Sequence, residues 1–240
     1  MPLIRDHNLI FQHIPKTGGS SICRHFGVET VGHQHLNWYN DVLMKEPNSG
    51  WPAKWAVFCV IRHPIDRFVS AWQMMQNMED FFPNRDTDHF KLKDRYKDLF
   101  SCSTIDKFVE KLCERNSLSM NFFSDDFAFH FWSLTSFVSS ARDEEADTVQ
   151  ILYPTVNDII LHKPTFILRY EELEYDFNLL SKVVGFENKG LPKINVNKKS
   201  TKDIIENMSK ETIDRIQQTY SLDFEVATKL IRERHVSLYL

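Results

Sequence analysis

The run Trp55–Ile61, WAVFCVI, is almost continuously apolar. A strand with one wet face alternates apolar and polar residues, so a run without alternation reads as a strand buried on both faces of a parallel sheet. What flanks it agrees. Downstream, Arg62-His63-Pro64 ends the run, Pro64 suits the first turn of a helix, and Ile65, Phe68, Val69 and Trp72 fall at helical spacing. Upstream, residues 8–14, NLIFQHI, form a second apolar run that stops at Pro15-Lys16-Thr17-Gly18-Gly19. The following SSICRHF can open a helix, with Ser20 or Ser21 expected at its N-cap. Two strand–turn–helix units in succession predict a βαβ crossover, right-handed by the general rule.

The rest of the chain extends this pattern. Residues 79–101 read as a charged surface excursion with some helix, and 104–115 as a helix capped by Thr104 with Ile105, Phe108, Val109 and Leu112 on one face. The aromatic and polar stretch 127–140 fits no single element, and the acidic stretch 141–149 reads as a loop. TFILRY (165–170) is a third strand candidate, EELEYDFNLLSKVVG a helix ending at Gly185, LPKINVNKKST (191–201) a basic loop, and 202–235 helical. The expected fold is α/β: a three-layer, P-loop-like arrangement with a central parallel sheet flanked by helices. Only 7 glycines and no Gly/Ser- or Pro-rich linker occur in 240 residues, so a single domain over 1–240 is expected.

Charge and cysteine content exclude some functions. A net charge of −4 argues against a protein that coats nucleic acid or a polyanion by bulk charge, though it leaves room for a local basic cleft. Cys23, Cys59, Cys102 and Cys113 lack C-x-x-C spacing and suit neither a zinc site nor a disulfide framework. The N-terminal MPLIRDHNLIF has no apolar segment of signal-peptide length, and no window approaches a membrane span. A soluble, cytoplasmic protein without a membrane span is expected if Met1 is the natural start. The sequence is silent on oligomeric state.

The first turn carries the chemistry. Glycines let the backbone approach a ligand closely, and the helix that follows offers unpaired N–H groups and a partial positive charge, which together bind phosphate. Lys16 adds a full charge, and Thr17, Ser20 and Ser21 add hydroxyls. Yet the lysine precedes the glycine pair, whereas in G-x-x-x-x-G-K-[ST] it follows them. It would therefore lie at the outer, transferring end of a nucleotide's 5′ group. No acidic metal ligand follows the second strand; Arg62 stands there instead, with Ser70 eight residues on. A second cation suggests a second phosphate held without metal, and an Arg with a hydroxyl is a reasonable clamp for a phosphate monoester.

PKTGGSS (15–21) resembles the 5′-phosphosulfate loop of sulfotransferases that use 3′-phosphoadenosine 5′-phosphosulfate (PAPS), and VIRHPIDRFVSAW (60–72) resembles their 3′-phosphate motif. The form is similar to the carbohydrate group, such as heparan sulfate 2-O- and 6-O-sulfotransferases and their soluble relatives. FILRYEELEYDFNLL and LPKINVNKKS are similar to later segments of that group, so the match touches 8–72 and 165–201. The resemblance implies that Lys16 stabilises the leaving phosphate, that backbone N–H groups of Thr17, Gly18, Gly19, Ser20 and Ser21 cradle the 5′ group, and that Arg62 and Ser70 hold the 3′-phosphate. It implies further that Lys198 and Lys199 close over the nucleotide and that a histidine between the two turns is the general base. In VGHQHLNWYND (31–41), His33 and His35 alternate and would point the same way in an extended segment. His35 is the preferred base and His33 its rival, with Glu29 and Asp41 as fallbacks.

The expected activity is sulfuryl transfer from PAPS to a hydroxyl, a sugar by resemblance, without a metal. A small metabolite or a peptide tyrosine is an alternative acceptor, and a P-loop-like nucleotide kinase the alternative class. Plainer readings stand beside these. Arg62 could pair with Asp66, Ser70 could bond back to its own helix, and His13 reads as a core histidine.

Overall fold

A computed structural model describes residues 2–29, 42–48, 50, 54–77, 96–114, 166–194 and 200–234. These fall into two compact units, one drawn from 1–62, 134–194 and 222–240, the other from 63–133 and 195–221.

The first unit is built on a four-stranded sheet in the order β1 (Leu3–Ile4), β2 (Leu9–Gln12), β3 (Ala56–Ile61), β4 (Phe166–Arg169). The three strands expected from sequence are all present and mutually parallel, with Phe11 opposite Phe58 and Phe58 opposite Phe166. A short fourth strand extends this parallel core: β1 pairs antiparallel to β2, so the sheet is mixed but mostly parallel. Two residues are too few to show periodicity, and a tight 3-10 turn (Arg5–His7) suffices to reverse the chain.

Register and pleat sort the side chains. Leu9 and Phe11, Phe58 and Val60, Phe166 and Leu168 share one face and form a core with Ile22 and Cys23 of helix α1 (Gly19–His25) and Phe177, Leu179 and Leu180 of a later helix, Leu173–Val184. The rings of Phe11 and Phe58 stack with centroids 4.9 Å apart. On the other face Ile10 and Val57 pack with Leu43. Both faces of β3 are covered, which explains its unbroken apolar run. Burying each such side chain contributes about 1.5–3 kcal/mol. Thiols share this core: Cys23 is pushed up to about 11 by burial, and burial raises Cys59 further. All four cysteines are free.

In the second unit, α2 (Pro64–Gln76) starts with Pro64 at its first position, as expected, and buries Ile65, Phe68, Val69 and Trp72. After α3 (Lys97–Phe100), helix α4 (Ile105–Glu114) buries the four apolar residues predicted for it, and Thr104 Oγ1 accepts from Lys107 N at 3.3 Å. Phe68 meets Phe108 and Tyr220 at ring-centroid distances of 6.1 and 5.8 Å. Next in chain order come α5 (Leu173–Val184), which belongs to the first unit, and then α6 (Thr201–Glu206) and α7 (Lys210–Thr219) of the second. Thr201 donates to Gln73 Oε1 at 3.4 Å. Ser209 Oγ caps α7 by accepting from Thr212 N, while its own N–H donates to Asp106. The predicted helical C-terminal stretch is thus α6, α7 and α8 (Ser221–Arg234). The expectations for 127–140 and 141–149 lie outside the described residues.

Candidate active site

Three chain segments of the first unit meet at the C-terminal ends of its parallel strands, where open α/β sheets generally bind ligands. They are the turn after β2, Arg62 after β3, and Tyr170 after β4.

The turn is tightly specified. His13 leaves β2 with its ring stacked on Phe11 at 5.3 Å and is 8% exposed, the core position expected for it. Lys16 adopts φ +66°, a left-handed conformation that costs an L-residue about 1–2 kcal/mol. Two hydrogen bonds brace it. Thr17 Oγ1 donates to Ile14 O at 2.8 Å, and Arg62 Nη1 donates to Lys16 O at 3.1 Å. The Thr17 hydroxyl proton is held inside the turn, and Thr17 itself is fully buried.

Gly18, not Ser20 or Ser21, is the N-cap of α1. Its φ of +84° is left-handed, and a serine there would be strained. Ser20 and Ser21 instead occupy the first turn of the helix. Gly19 has a different reason to lack a side chain: a Cβ there would lie 1.9 Å from His13 Nε2. The glycine pair was expected to admit a ligand. Its second member admits the histidine ring, and so locks the helix start against β2.

Arg62 is 8% exposed. Besides Lys16 O it meets the Tyr170 ring, its guanidinium carbon 4.1 Å from the centroid, a cation–π distance. The edge of the same ring faces Gly18, whose Cβ would lie 3.4 Å from Tyr170 Cε2. Tyr170 is set by its neighbours: Asp176, fully buried, accepts from Arg169 N (2.8 Å), Nε (3.0 Å) and Nη2 (2.8 Å), pinning the end of β4 to α5. That carboxylate also raises the Arg169 pKa. Sequence reasoning missed Tyr170. Its signal was positional: it directly follows a buried parallel strand, as Arg62 does.

Electrostatics mark the turn as a cation site. Lys16 is lowered to about 8, first by burial and then by the charge of Arg62. Both effects disfavour a bare ammonium there, and an anion held beside it would offset them.

Among the predicted site residues, Lys16, Thr17, Gly18, Gly19, Ser20, Ser21 and Arg62 come together in this unit. Ser70 belongs to the second unit, on α2, where it is buried. Asp66, the rival partner suggested for Arg62, lies 3.4 Å from His63 Nδ1. His33, His35, Asp41, Lys198 and Lys199 lie outside the described residues. Among the described residues, no group of three or more His, Cys, Asp or Glu could hold a metal, and no helix is long and apolar enough to cross a membrane.

Comparison with known proteins gives the family. A model of the sulfotransferase family matches residues 3–226, running through both units. No curated protein and no solved structure matches the chain. The family's reaction is sulfuryl transfer, and PAPS is the donor it implies. With a strained, glycine-bearing turn ahead of its first helix, an arginine after the next parallel strand and a match over nearly its whole length, this chain belongs to the sulfotransferase family.

Proposed function

We propose that the chain moves the sulfuryl group of PAPS onto a hydroxyl of a sugar by in-line displacement. The observation that carries this is the Lys16–Arg62 pair: a half-buried lysine and a buried arginine, the second bonded to the backbone of the first, with Lys16 lowered to about 8.

The acceptor oxygen forms a bond to sulfur as the bond from sulfur to the bridging phosphate oxygen breaks. The acceptor proton passes to a general base, for which His35 is preferred and His33 is the rival. The electron pair of the broken bond stays on the leaving 5′-phosphate. Lys16 is charged at that place before the reaction begins, so it stabilises the growing charge with little reorganisation. Backbone N–H groups of Thr17 to Ser20 supply further donors to the same phosphate, while the Ser21 N–H, expected among them, already donates to Gly18 O at 3.1 Å. Arg62 contacts the 3′-phosphate, as does Ser70, by the spacing of RHPIDRFVS. Lys198 and Lys199 close over the nucleotide. The sugar rests on the likeness of PKTGGSS and VIRHPIDRFVSAW to the carbohydrate group.

The test is label transfer from sulfur-labelled PAPS to separate panels of sugars, phenols and tyrosyl peptides. Labelled sugars are expected. Label only on phenols or peptides would move the acceptor assignment. Turnover of magnesium–ATP without PAPS turnover would replace the reading with a kinase.

A further inference from the structure

Tyr170 touches both halves of the candidate site. One face of its ring lies under the Arg62 guanidinium at 4.1 Å, and one edge, with Leu173 beside it, lies 3.4 Å from where a Cβ on Gly18 would stand. Arg62 in turn donates to the carbonyl of Lys16, the residue held at φ +66°. The contacts form a chain: ring, guanidinium, carbonyl, strained lysine. A planar guanidinium stacked on a ring loses one direction in which to swing, and its in-plane N–H is aimed by the stack. The ring is itself anchored, because the preceding residue is fixed by three hydrogen bonds to buried Asp176.

We propose that Tyr170 is a positioning residue: its ring, wedged between Arg62 and Gly18, holds the guanidinium on the carbonyl of Lys16 and so sets the turn in its ligand-ready shape. This rests on the proposed reading of the turn as the PAPS site. The aromatic face does the work, and the phenolic hydroxyl is dispensable. Tyr170 is 36% exposed, so its ring is not a core residue whose loss must collapse the fold.

Two substitutions separate face from hydroxyl. Tyr170→Phe keeps the face, and Tyr170→Leu removes it. If the leucine variant does not fold, Tyr170→Met, an unbranched apolar filler, takes its place. The first measurement needs no nucleotide: the pH midpoint of Lys16 acylation, followed by mass spectrometry. Burial and Arg62 together set that midpoint near 8. Loss of the ring frees Arg62 to move away and admits water, and the midpoint rises; the phenylalanine variant keeps it. The second measurement is calorimetric affinity for 3′-phosphoadenosine 5′-phosphate. Leucine is expected to weaken it about tenfold and phenylalanine to leave it near wild type.

A leucine variant with an unchanged midpoint and unchanged affinity overturns the proposal. So does a phenylalanine variant as impaired as leucine, which would give the role to the hydroxyl. Wild-type protein that does not bind the nucleotide would defeat the reading of the site instead, while the Lys16 midpoint still decides whether the wedge exists.

Discussion

The lowered pKa of Lys16 makes nucleotide binding a proton-uptake reaction, and the size of the uptake follows from the site. With a free-state value of about 8, Lys16 is about nine-tenths protonated at pH 7, about half at pH 8 and about one-tenth at pH 9. A bound 5′-phosphate beside it favours the charged form and restores a proton to nearly every molecule. The phosphates of 3′-phosphoadenosine 5′-phosphate lose their last protons near pH 6, so they contribute little above pH 8. Binding should then take up about 0.5 proton at pH 8 and about 0.9 at pH 9. By the same linkage, affinity should fall about tenfold between pH 7 and pH 9, or about 1.4 kcal/mol. Calorimetry at each pH in buffers of different ionisation enthalpy gives the uptake directly. Lys16→Met should flatten the profile and weaken binding at pH 7. Zero uptake at pH 8, with equal affinity at pH 7 and 9, would refute the claim that Lys16 is desolvated beside Arg62 and meets the ligand.

Other consequences concern single atoms. Gly19→Ala drives a methyl into His13, which stands 1.9 Å from its position, and should lower stability by about 1–3 kcal/mol in urea denaturation while weakening nucleotide binding. His13→Ala in that background should recover part of the stability. Asp176→Ala removes a fully buried carboxylate that accepts three hydrogen bonds, and a loss of about 3 kcal/mol is expected by chemical denaturation. Phe58→Ala, in the middle of the sheet, should cost about 3–5 kcal/mol in the same assay.

Sequence revealed those features whose cause is local and repeated. The apolar run at β3, Pro64 at a helix start, Thr104 as a cap and Gly185 as a left-handed helix end (φ +84°) each carry their reason within a few residues, and each stands where expected. The two-residue β1 was invisible because its stability comes from pairing with β2 rather than from its own pattern. At the turn, residue types were legible and their division of labour was not. Which hydroxyl faces inward, and which glycine makes room for His13, depend on contacts between backbone and ring. Tyr170 was hidden for the same reason: its partners Arg62 and Gly18 lie far from it in sequence and meet it only once the strands align.

The most direct test of the central claim compares wild-type protein with Lys16→Ala in transfer of label from sulfur-labelled PAPS to a sugar acceptor. Wild type is expected to turn over, and the variant to lose about 10²–10³-fold in kcat, the range for removing a preorganised group that stabilises transition-state charge. Equal turnover by the two proteins would contradict the account of Lys16 at the leaving phosphate.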